Sequence, residues 1–126
     1  MAGWLAAAAI AEACEIPGDF TPRGRAESSG IVVVFRTLPA MVEVGTPFRL
    51  ELVLCADSGS PALTRVDATM PEHRHGMNYR PTVSARGGGL YVADGFLFHM
   101  PGRWQLVFDV ARGERRARLT TDLVVE

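Results

Sequence analysis

The chain has 126 residues, a formal net charge of −1 and 48% hydrophobic against 21% charged residues, which is enough for one domain with its own core and unlike a disordered composition. The balanced charge argues against a nucleic-acid binder and leaves no field for steering a charged partner. All 13 basic residues are arginine, which excludes Schiff-base, P-loop-lysine and Ser–Lys chemistry, and no apolar run reaches the roughly 18–20 residues that cross a bilayer.

Residues 1–13 read as a leader. The run AGWLAAAAIAEA at 2–13 has the apolar part of a secretory signal, with Ala11-Glu12-Ala13 as a small-x-small cleavage site. The same run is a good helix former, and no Arg precedes it, so a short helix of the mature protein is the competing reading. Cys14 follows at once and has two readings of its own. One is a lipid anchor. The other is a disulfide to Cys55, the second of the chain's 2 cysteines, as small exported domains use. Such a bridge ties the N-terminal segment to the end of a strand and is worth about 3–4 kcal/mol in the chain-entropy account. Residues 14–27 read as a linker.

From residue 28 to residue 126 the pattern is that of strands. Ile31-Val32-Val33-Val34-Phe35 is a β-branched and aromatic run. Phe48, Leu50, Leu52 and Leu54 alternate with Arg49, Glu51 and Val53, the signature of a half-buried antiparallel strand. The same period of two marks Val66 to Met70, Trp104 to Val110 and Ala117 to Val125. Turn signals separate these runs: Val44-Gly45-Thr46-Pro47, Asp57-Ser58-Gly59-Ser60-Pro61, Gly87-Gly88-Gly89, Asp94-Gly95 and Pro101-Gly102, with Arg112-Gly113-Glu114 as a hairpin loop. Asp94-Gly95, between apolar pairs, reads as a tight hairpin. The pattern predicts an all-β fold, an immunoglobulin-like antiparallel β-sandwich of about seven strands.

The chemistry concentrates at two strand ends. Of 3 histidines, His73 and His75 lie in Met70-Pro71-Glu72-His73-Arg74-His75-Gly76-Met77, and His99 lies in His99-Met100-Pro101-Gly102. Three of the four methionines after Met1 share these segments: Met70, Met77 and Met100. Imidazole nitrogen with thioether sulfur is a donor set for copper, Cu(I) or Cu(II). In an extended loop His73 and His75 point to one side, and His99 or Met100, but not both, completes the set from a neighbouring strand. Zinc is the rival ion, against which the methionines count. Met70 also continues the Val66 and Ala68 face and reads as core, and Met100 before Pro-Gly reads equally as an end plug. Nothing here has the form of a G-x-S-x-G elbow, HExxH or CxxC, and no base–nucleophile pair appears, so no enzyme is expected.

The segments Met70-Pro71-x-His73-x-His75-Gly76, then Gly89-Leu90-Tyr91, then Phe98-x-Met100-Pro101-Gly102-x-Trp104-x-Leu106 together resemble the YtkA-like family, which is related to FixH-type periplasmic domains. The likeness runs from about residue 31 to residue 125. It implies a small immunoglobulin-like domain, exported or membrane-anchored, linked to copper handling or oxidase assembly. The family's HxH falls on His73 and His75 and its MPG methionine on Met100; Met77 and His99 lie outside the shared motif. Two functions follow as expectations. The first is a periplasmic or extracellular copper-binding chaperone or carrier using His73, His75, Met77, His99, Met100 and Met70, with a copper-receiving or oxidase-assembly protein as partner and room for a homodimer that shares the site. The second is a metal-free accessory module that binds a protein partner through the same loops.

Overall fold

The alternating segments resolve into nine strands among residues 14–126, the part of the chain that this structure, a computed structural model, describes. The strands are β1 (Gly24–Ser28), β2 (Ile31–Leu38), β3 (Phe48–Ala56), β4 (Ala62–Met70), β5 (His75–Gly76), β6 (Thr82–Gly87), β7 (Leu90–Phe96), β8 (Gly102–Arg112) and β9 (Arg115–Val125). No helix occurs among the described residues. The predicted leader at 1–13 lies outside them.

The strands form two antiparallel sheets, ordered β1-β2-β3-β7-β6 and β5-β4-β8-β9. Setting aside β1 and the two-residue β5, the remaining seven have the strand order of an immunoglobulin constant-type sandwich. The expected fold is therefore the observed one, with two short strands added. Neither carried a pattern: β1 is GRAES, and β5 is only His75-Gly76. Because β1 pairs residue by residue with β2, the sheet begins at Gly24, ahead of the predicted domain start at 28.

The core is the sum of the two inner faces. Ile31, Val33 and Phe35 of β2, Leu50 and Leu52 of β3, and Ala93 of β7 meet Val66, Ala68 and Met70 of β4, Leu106 and Phe108 of β8 and Leu119 of β9. Alternation within each strand puts every second residue there. In β2, however, five consecutive residues are buried, Ile31 to Phe35. Their even members face outward, where Cys14 and Phe20 cover Val32, Val34 and Val53 as a second apolar cluster. Residues 14–23 thus form a strap over the outside of the five-stranded sheet. Arg36 holds it from the sheet side, with its guanidinium 4.7 Å from the Phe20 ring centre and Nη1 donating to the Asp19 carbonyl at 2.9 Å. The Cys14–Cys55 disulfide fastens its start, with Cα atoms 5.6 Å apart. A Cys14 sulfur bonded to Cys55 carries no lipid thioether, so the two readings of Cys14 exclude one another.

Asp94-Gly95 is not a hairpin turn. Both residues lie inside β7, where the pairing with β3 slips between Phe48 and Arg49. Gly95, at φ 96°, is the extra residue of a β-bulge. A bulge and a hairpin ask for the same residue, a glycine with positive φ, so local sequence does not separate them. The Arg112-Gly113-Glu114 reading stands: Arg112 pairs with Arg115 across a two-residue turn.

Candidate metal centre

One end of the sandwich is built from the β4–β5 turn, the β7–β8 loop and the start of β8. Met70 ends β4 facing the core at 1% exposure. The chain then turns tightly, with the His73 amide donating to the Met70 carbonyl at 3.1 Å and Arg74 at φ 54°. The reversal lets His75 pair directly opposite Met70. Directly paired residues share a face, so the His75 side chain extends the inner row of Met70 toward the sheet edge. The next strand supplies Trp104, fully buried, one step along the register from the Thr69–Gln105 pair.

From β7 the chain passes Phe98, also fully buried, whose ring stacks on Trp104 at 4.3 Å and 8°. His99 then stands over the edge of the Trp104 indole at 5.5 Å and 81°. His75 meets the same indole edge-on at 6.0 Å and 69°. The three imidazoles form a row, with ring centres 5.8 Å apart from His73 to His75 and 5.0 Å from His75 to His99. The buried indole N–H is satisfied by the Met100 carbonyl at 3.1 Å, which fixes the loop that carries His99.

Gly102 belongs to this end for a steric reason. It sits at φ 130°, and a Cβ there would lie 2.8 Å from Met70 Cε. A side chain would be strained by the backbone and would push on the Met70 thioether. On the outer side, Arg103 Nε donates to Glu72 at 2.9 Å and Nη1 lies 3.3 Å from Asp122, tying the turn to β8 and β9. Hydrogen bonds donated to Glu72 first, then to Asp122, raise the Arg103 pKa above its ordinary value.

All six predicted donors are thus at this end of the fold, in different positions. His73 and His99 are exposed and His75 is half-buried. Met77 and Met100 are half-buried and pack against the core, and Met70 is within it. Two imidazoles sharing an ion at about 2.0–2.1 Å have ring centres about 4.5–6.5 Å apart, depending on the angle at the metal, so the observed spacings fit. The ring orientations do not: His73 and His75 stack at 28°, and among the described residues no three His, Cys, Asp or Glu side chains converge on one point. Holding an ion therefore requires the exposed rings to turn about their side-chain torsions.

The route by which His73 and His75 come together differs from the expected one. The loop is a turn, not an extended segment, and it is the reversal at Arg74 that brings the rings side by side. Of His99 and Met100, His99 joins the imidazole row. Trp104 and Phe98 form the floor of the site, a role that their place in an alternating strand and loop concealed. The signal was the tryptophan two residues after Gly102, at the same strand end as the histidines.

The chain matches no protein-family model, no curated protein and no solved structure.

Proposed function

We propose that this chain is an exported copper-binding protein, a carrier or chaperone, whose ion is held by His73, His75 and His99 with Met77 and Met100 as softer donors. The observation that carries the reading is the row of three imidazoles gathered from two separate loops, spaced at 5.8 and 5.0 Å. Nitrogen and thioether donors together suit copper over zinc. Exposure of His73 and His99 suits an exchangeable cargo, because a receiving partner can reach ligands that lie on the surface. The Cys14–Cys55 disulfide supports an oxidising compartment, periplasmic or extracellular. The motif resemblance to the YtkA-like family points the same way and supplies the class of partner, a copper-receiving or oxidase-assembly protein.

The second reading, a metal-free accessory module, is favoured by one observation: the imidazoles pack on Trp104 without converging. In that reading the rings are a docking surface for a protein.

Titration separates the two. The chain has 2 tryptophans, so in a Trp4→Phe background Trp104 alone reports on the site. Under the copper reading, Cu(II) quenches Trp104 fluorescence stoichiometrically. Cu(I) or Cu(II) also raises the melting temperature, by the equivalent of about 2.7 kcal/mol at a hundredfold excess over Kd. His73→Ala with His75→Ala removes both effects. Unchanged fluorescence and melting with every metal would give the site to the accessory-module reading.

A further inference from the structure

Away from the histidine end, the two cysteines meet beside a cavity. Cys14, in irregular chain, is buried at 7% exposure, and Cys55 is half-buried near the end of β3. Their Cα atoms are 5.6 Å apart. A cavity of 260 Å³ adjoins Cys14, walled by Ile16, Val32 and Val34 and by Arg23 and Arg25. Arg25 is paired with Glu27 at 2.6 Å. Arg23 donates to neutral oxygens, Thr37 Oγ1 and the Ala40 carbonyl, and no carboxylate pairs with it among the described residues.

We propose that Cys14 and Cys55, once reduced, form a second metal site, a two-coordinate bis-thiolate for Cu(I). Three features argue for it. Thiolates are the soft ligands that select Cu(I). Two sulfurs on one ion with bonds of about 2.3 Å stand about 4–4.6 Å apart, a separation that side chains on Cα atoms 5.6 Å apart reach by rotation. Cys14 lies outside any strand, so it has the freedom to withdraw, and the adjoining cavity gives it space.

The chemistry balances with a dithiol as reductant. The dithiol gives two electrons and two protons to the Cys14–Cys55 disulfide and itself becomes a disulfide. Binding of Cu(I) then releases the two protons from Cys14 and Cys55. The site therefore exists only after reduction, and the strap that carries Cys14 is its moving part. This inference does not rest on the histidine site.

The test is anaerobic Cu(I) titration of the full chain against a chromogenic Cu(I) chelator, before and after reduction by dithiothreitol and its removal. In His73→Ala/His75→Ala, which removes the other proposed site, the reduced chain gains one equivalent of Cu(I) over the oxidised chain. The gain comes with an ultraviolet thiolate-to-copper charge-transfer band. Cys14→Ser and Cys55→Ser each lose that band. Since reduction or a serine variant loosens the strap, far-ultraviolet circular dichroism of each form accompanies the titration. No gain on reduction, no charge-transfer band, or a band that survives in either serine variant overturns the proposal. A failure of the histidine site would appear separately, as absence of both Cu(I) and Cu(II) binding by the oxidised wild-type chain.

Discussion

The two ends of the sandwich are both polar, and they treat their polar groups in opposite ways. At the β8–β9 hairpin end, Arg112 is engaged by three partners: Nη1 donates to Asp57 at 2.5 Å and lies 3.3 Å from the Ser58 carbonyl, while Nη2 donates to the Ser29 carbonyl at 2.9 Å. One side chain thus staples three turns. At the other end, the only imidazole nitrogen with a hydrogen-bond partner among the described residues is His75 Nδ1, 3.3 Å from its neighbour's carbonyl at Gly76. His73 and His99 are placed by ring packing, not by hydrogen bonds. The lesson is that the number of protein partners separates a structural polar group from one with capacity to spare, and that capacity is what a ligand site needs.

This contrast can be broken or sharpened by substitution. The largest expected effect is Trp104→Ala, which removes a fully buried ring beneath the histidine row and should cost about 3–5 kcal/mol, measured by urea unfolding. The same variant should scatter the imidazoles and weaken copper binding. Replacing both cysteines by serine comes next. A bridge across a sequence separation of 41 is worth about 4 kcal/mol in the chain-entropy account, and the loss should appear in thermal melting. Arg112→Ala removes an exposed ion pair to Asp57 and two hydrogen bonds to carbonyls that water can reach, and should cost about 1 kcal/mol, with metal response unchanged. The smallest effect on stability belongs to His73→Ala with His75→Ala. Without metal it should stay within about 0.5 kcal/mol, while the copper-induced rise in melting temperature vanishes. If that double variant instead proved as costly as Arg112→Ala, the imidazoles would be structural and the contrast between the ends would collapse.

How much of this the residues announced depends on whether the signal was periodic or local. Phe48 to Leu54 and Trp104 to Val110 read directly as strands, because one face of each is core and the period of two is unmistakable. Ile31 to Phe35 read as buried for a reason the sequence does not contain, namely a strap that covers its outer face. Local signals fared less evenly. Gly113-Glu114 makes a turn and Asp94-Gly95 makes a bulge, although both offer a glycine with positive φ. At the site, the clustering of His73, His75 and His99 in two short segments foretold their meeting in space. Their arrangement on Trp104 was not legible, because a tryptophan in an alternating strand is core by default and only the register shows which loop residues stand at its edge.

The strap has one more consequence. Arg23 is exposed and marks the passage from the strap into β1, and no Arg or Lys lies between Cys14 and it, so a trypsin-like cut after Arg23 severs the strap from the sheet in one piece. The freed segment does not leave: Cys14 still holds it to Cys55, as a clasp holds a cut thread. The nicked molecule runs as one species until a reductant is added and as two afterwards, and only then are Val32, Val34 and Val53 bared as a sticky stripe on the outside of the sheet.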